Sequence, residues 1–113
     1  MPEPRSCVDA AKAYLDASNR HDLNDISDLL SADCRYFSSG AGEHNGRDAI
    51  LDMMRGFFAQ YPNVRWEARN LEAETVSTAA FDFTIFLPSG AFEGREWVAM
   101  NETGLISEIR VER

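Results

Sequence analysis

Six apolar residues recur at a helical interval without interruption: Ile50, Met53, Met54, Phe57, Phe58 and Tyr61 stand at i, i+3, i+4, i+7, i+8 and i+11. A helix carrying them projects all six from one side, and that side must be buried. Asn45 is placed to cap its start, Asp48 follows where the helix dipole favours a carboxylate, and Tyr61-Pro62-Asn63 ends it. Past that point the interval shortens to every second residue. Residues 64–74 alternate Val64, Trp66 and Ala68 against Arg65, Glu67 and Arg69, and residues 77–87 put Phe81, Phe83, Ile85 and Leu87 on one side. Pro88-Ser89-Gly90 and Glu102-Thr103-Gly104 carry turn chemistry, so 92–101 and 105–111 are read as two further strands.

Upstream, residues 6–20 predict a helix with Ser6 as N-cap and an inner face of Cys7, Ala10, Ala11, Tyr14, Ala17 and Ser18. Tyr14 stands out on that shallow surface, and His21 sits at the helix end. Asp22 caps a shorter helix with Asp25 at its third position and a stripe of Leu23, Ile26, Leu29 and Leu30. Ser31-Ala32-Asp33 is expected to break it. Residues 34–38 alternate as a strand, placing Cys34, Tyr36 and Ser38 on one face, and a loop at 39–45 containing Gly40, Gly42, Glu43 and His44 leads into the long helix. Helices gathered early and a strand meander late predict an α+β domain: three N-terminal helices packed in a mainly antiparallel sheet.

The 113 residues fit one domain, 1–113, and 44% apolar content with twelve aromatic rings supplies a packed interior. Acidic residues outnumber basic ones, 19 to 11, for a net charge of −8, and no Lys or Arg run could track a phosphate backbone. Nucleic acid and anionic membrane are therefore not expected partners. No apolar stretch approaches the roughly 20 residues of a membrane span, and Met1-Pro2-Glu3-Pro4 lacks the basic start of a secretory signal, so a cytoplasmic protein is expected. Cys7 and Cys34 are then expected to be reduced thiols. With only His21 and His44, and neither Cys-x-x-Cys nor His-x-x-x-His, no metal site and no cofactor are expected.

Several short motifs, in this order, are similar to the nuclear transport factor 2-like superfamily, in particular its SnoaL-like and ketosteroid-isomerase-like members. They are the helix from Tyr14 to Arg20 followed by His21-Asp22-Leu23, the run Leu30-Ser31-Ala32-Asp33-Cys34, the helix start Asn45-Gly46-Arg47-Asp48-Ala49-Ile50, and Gly104-Leu105-Ile106. The resemblance implies a cone: a strongly curved sheet wrapped around the helices as a cystatin-like roll, with a pocket for a small apolar molecule and homodimers through the sheet. A Phe-rich sheet face opposite an Ala/Ser helix face leaves space unfilled, so the residues agree with a cavity. Met53, Met54 and Phe57 from the long helix, and Tyr36, Ser38, Phe81, Phe83 and Val98 from the strands, are its candidate walls. The same Phe and Met stripe would be buried with or without a ligand.

The resemblance also implies roles. Tyr14 matches a tyrosine that donates a hydrogen bond to a developing oxyanion. Glu96, counted back from Gly104, matches an acid kept protonated by an apolar site that donates a second. Read from the residues alone, Tyr14 is equally a structural buried tyrosine and Glu96 a strand-end charge paired with Arg95 or Arg110. The family's proton-shuttling aspartate falls at Ser38, in a loop one residue shorter, and serine cannot hold and return a proton near neutrality. Glu43 or His44 could substitute, His44 being the better base by intrinsic pKa. Three functions stay open: acid–base chemistry of isomerase, dehydratase or cyclase type on a small apolar substrate, a non-catalytic ligand-binding module, or a dimerisation domain anchored by Trp66 and Trp97.

Overall fold

The computed structural model describes residues 6–113; the Pro-containing arm at 1–5 lies outside the described residues. The elements run α1 (Cys7–Asn19), α2 (Leu23–Leu29), β1 (Leu30–Ser38), β2 (Gly42–Asn45), α3 (Arg47–Gln60), β3 (Arg65–Ala73), β4 (Thr78–Leu87), β5 (Gly90–Met100) and β6 (Ile106–Glu112). Three helices pack against one curved, unclosed sheet of six strands in the order β2-β1-β6-β5-β4-β3. Every pairing is antiparallel except β1 with β6, so the sheet is mixed. Irregularities in register between Leu30 and Arg35, between Arg69 and Glu72, and between Ala99 and Met100 add local bends to its curvature.

Local chemistry sets both early helices as expected. The Ser6 and Asp22 side chains accept from the N–H groups of Asp9 and Asp25, closing the two N-termini. The buried face of α1 is Cys7, Ala10, Ala11, Tyr14, Ala17 and Ser18, and its small residues let it lie close against the sheet. Ile26, Leu30, Ile50, Phe81, Phe83, Val98, Ile106 and Ile109 complete the core.

The structure differs from expectation in three elements. Ser31-Ala32-Asp33 does not separate helix from strand: β1 already begins at Leu30, paired with Ile106, and the three residues form its irregular stretch. The expected loop at 39–45 contains β2, a hairpin partner of β1 entered through Gly42 at φ +83°. Asn45 is committed to that hairpin opposite Arg35, so Gly46, at φ +94°, caps α3 instead, with no side-chain hydrogen bond. Of the α3 stripe only Ile50 and Met54 are fully buried; Met53, Phe57, Phe58 and Tyr61 are half-buried along the rim of the cone. Among the described residues no helix is long and apolar enough to cross a membrane, and Cys7 and Cys34 are both buried and unpaired.

Candidate functional site

Alternation along β5 turns Glu96 and Val98 inward and leaves Trp97 outside, while the α1 face turns Tyr14 toward the same interior. Between them lies a cavity of about 80 Å³, small beside the roughly 300–1,000 Å³ of sites for drug-sized ligands. Its apolar wall comes from Met53, Met54, Phe57 and Phe58 of α3 and from Trp66, Phe83 and Ile85 of the sheet. Its polar atoms belong to Tyr14, Ser18, Tyr36, Ser38, Glu96 and Arg113.

Glu96 is 6% exposed, and its Oε2 has no hydrogen-bond partner among the described residues. It does not pair with Arg95, which binds Asp82 and Glu74, or with Arg110, which binds Glu112. Burial alone pushes its carboxyl up to about 8, so at neutral pH the group is predominantly an acid with a proton to donate. Tyr14 is pushed well above the ordinary phenol value, first by burial and then by the Glu96 charge beside it. Burial and Glu96 raise Tyr36 too, against the opposing pull of the Ser38 hydroxyl and the Arg113 guanidinium. Three protonated acids thus converge on one small apolar space, where a hydrogen bond to an oxygen is stronger than in water.

Second contacts hold this arrangement. The Asn19 side chain donates from Nδ2 to the Trp66 carbonyl (3.0 Å) and accepts from the Trp66 N–H (2.7 Å), pairing with β3 as another strand would. His21, at φ +55°, donates from Nε2 to the Val64 carbonyl (2.7 Å) and stacks on Phe58 with ring centroids 4.4 Å apart. The aromatic wall is thereby tied to the end of α1.

Of the residues expected at the site, Tyr14, Glu96, Tyr36, Ser38, Met53, Met54, Phe57 and Phe83 line the cavity. His44 does not: it lies on the β2 hairpin, Nε2 bound to the Ala41 carbonyl at 2.9 Å, because the predicted loop is a strand that turns its ring along Tyr36. Phe81 and Val98 face inward but are sealed in the core, each 0% exposed. Ser38 reaches the cavity, yet its Oγ accepts from the N–H groups of Gly40 and Ala41, both at 3.2 Å, and so fixes the turn. Cys34 is buried, and burial chiefly pushes its thiol up to about 12, which disfavours the thiolate form a nucleophile needs. Sequence reasoning missed the apolar Leu15, Ala41, Phe58, Trp66, Ile85 and Val111 as lining residues, and with them Ser18 and Arg113. Phe58 and Trp66 were visible as apolar positions, but nothing in the pattern of 105–111 marked Arg113.

A family model described as a SnoaL-like domain matches residues 11–109. A search of curated proteins finds no match. Among solved structures, an uncharacterised cystatin-fold protein from Novosphingobium aromaticivorans superposes with a TM-score of 0.86 at 14% identity, covering 96% of this chain and 99% of that one. A provisionally assigned polyketide cyclase from Sinorhizobium meliloti gives 0.81 at 18% identity, over 91% and 93% of the two chains. A provisionally assigned ketosteroid isomerase from Kribbella flavida gives 0.81 at 21% identity, over 94% and 76%. At these identities the likeness is one of fold.

Proposed function

The chain belongs to the SnoaL-like domain family, within the nuclear transport factor 2-like superfamily, and from that premise we propose that it is a cofactor-independent acid–base catalyst of isomerase or cyclase type. Its substrate is a compact, largely apolar molecule whose carbonyl oxygen takes hydrogen bonds from Tyr14 and Glu96. The observation that carries this is the buried Glu96 carboxyl, with an unpartnered Oε2, sharing a cavity with the buried Tyr14 phenol. An unsatisfied buried oxygen costs the fold about 1–3 kcal/mol, and a ligand oxygen seated beside it accounts for its persistence.

Among the described residues Glu96 is the only acidic side chain lining the cavity, and the proposal uses no shuttle between two carboxylates. In the addition this geometry favours, a substrate X–H group adds to the carbonyl carbon. The C–X bond forms, the C=O π bond breaks, Glu96 gives its proton to the oxygen, and its carboxylate takes the proton that X–H loses. A carboxyl that titrates near the working pH suits both halves of that exchange, and Tyr14 steadies the developing negative charge. The cavity volume favours small ketones and lactones over fused-ring skeletons.

The engagement of Ser38 in its own turn favours a second reading, a module that holds such a molecule unchanged. Titration with a panel of small ketones and lactones, followed by the Tyr14 and Tyr36 ring resonances and by product analysis, separates the two. Turnover cut about 10²-fold by Tyr14→Phe supports the enzyme; binding with the ligand recovered intact supports the module. Silence of both rings to every ligand overturns both. We also place the protein in a reducing compartment, as its two buried free thiols suit, and as a homodimer through the outer sheet face.

A further inference from the structure

Among the described residues Arg113 is the one cation in the cavity lining, and the way it is seated is specific. Its N–H donates to the Ser39 Oγ at 3.0 Å while the Ser39 N–H donates to the Val111 carbonyl at 3.1 Å, lacing the end of β6 to the β1–β2 turn. Its side chain then runs between two glycines. A Cβ on Gly94 would meet the Glu112 carbonyl oxygen and the Phe83 Cζ, both at 2.6 Å, and the Arg113 Cγ at 2.9 Å, while one on Gly40 would overlap the flexible Nη2 tip of Arg113. The bare backbone at Gly94 admits the β6 backbone and Phe83 first and the Arg113 stem beside them, and the guanidinium lies along Gly40 in the cavity lining.

Once there, the guanidinium has no ion-pair partner among the described residues; Arg20, Arg35, Arg55, Arg65, Arg69, Arg95 and Arg110 all make ion pairs, and Arg47, unpaired like Arg113, does not line the cavity. Its influence is felt inside the cavity, where it opposes the rise that burial gives the Tyr36 phenol. A chain of net charge −8 repels small anions in general. An unpaired guanidinium at the rim of a largely apolar cavity whose other polar groups are neutral at pH 7 makes this place favourable to an anion, and its planar fork matches a carboxylate in geometry.

We propose that Arg113 is the anion-recognising residue of the cavity, and that the molecule taken there is a compact oxo acid whose carboxylate meets the guanidinium at the mouth while its carbonyl oxygen faces Tyr14 and Glu96. The proposal rests on the oxyanion reading above for the carbonyl end and stands apart from it at the carboxylate end. Because the cavity is only about 80 Å³, the two groups are separated by a short chain.

The test compares levulinate, its neutral amide and butanone at neutral pH and low salt, with affinities read from the Tyr14 and Tyr36 resonances. Levulinate is expected to bind at least tenfold more tightly than the amide. Arg113→Gln should remove that preference while leaving amide and butanone affinities within twofold, which also certifies that the variant is folded. Equal affinity of acid and amide for the native protein overturns the proposal, as does a preference that survives Arg113→Gln or an absence of binding by both. Butanone and Tyr14→Phe keep the two ideas apart. Butanone affinity that falls in Tyr14→Phe without any acid preference leaves the oxyanion reading standing and this one refuted; an acid preference abolished by Arg113→Gln but indifferent to Tyr14→Phe does the reverse.

Discussion

A carboxyl group raised on burial from 4.5 to about 8 keeps its proton in the folded chain across a range where the unfolded chain has lost it. Between those values the folded state binds more protons, so stability falls as pH rises through the window: the contribution of this one group is fully present below about 4.5 and is lost as pH rises through about 8. Glu96→Gln, neutral throughout, is expected to flatten that slope and to unfold at higher urea than the native protein at about pH 9, by on the order of 2–5 kcal/mol. Urea titrations at a series of pH values measure it; an unchanged slope in the variant would place the titration elsewhere. The same deprotonation turns a donor into a charge that repels a developing oxyanion, so ligand affinity should fall above about pH 8 in the native protein and stay level in Glu96→Gln. Tyr14→Phe keeps the ring and loses the donor, which should cut turnover about 10²-fold with little change in melting temperature. The Glu96 position followed from its distance to Gly104 in sequence. Its desolvation did not, because that depends on neighbours from other elements. For Ser38 the sequence gives the absence of a base, while its hydrogen bonds to Gly40 and Ala41 emerge only from the turn.

Elements with a strong period were legible and those without one were not. The α1 face could be read residue by residue because alanines and serine alternate cleanly with charges, and β4 because Phe81, Phe83 and Ile85 all turn inward. The β2 strand has four residues, Gly42–Asn45, none of them buried, so no alternation announces it. Missing it displaced the α3 cap from Gly46 to Asn45 and brought His44 into a site it does not reach. The edge strand β3 shows a different limit. Its burial pattern is almost entirely exposed, and its attachment to α1 depends on Asn19, whose side chain supplies the donor and acceptor a neighbouring strand would. Asn19→Ala removes both and leaves the Trp66 peptide to water, with an expected loss of about 1–2 kcal/mol. The measurement is paired: a lower urea midpoint and a red-shifted Trp66 emission, read in a Trp97→Phe background. A lower midpoint with unmoved emission would mean that Asn19 stabilises the fold without setting the cavity wall.

At the scale of the whole molecule, a strand's existence shows in its pattern but its partner does not. The parallel pairing of β1 with β6 joins residues 30–38 to 106–111 across four other strands and a helix, and only the packed fold reveals it. That pairing brings β1, β6 and β5 side by side, and their outward residues make a face of aromatic rings crossed by arginines. Arg110 lies over both Phe37 and Trp97, Arg95 lies over Trp97, and Glu74, Glu108 and Glu112 stand among them. Phe37 is 44% exposed there. A two-fold contact through such a face would cover the rings and bring a mixed set of arginines and carboxylates against its own copy, the self-complementarity that an isologous contact requires. The expected state is therefore a dimer at micromolar concentration. Trp97→Glu should shift it to monomer in sedimentation equilibrium while leaving the cavity, on the opposite face of the sheet, able to bind whatever the native protein binds. A native protein that sediments as a monomer at every accessible concentration would leave that face to solvent, and its arginine–carboxylate pairs would then be surface pairs worth under about 1 kcal/mol each.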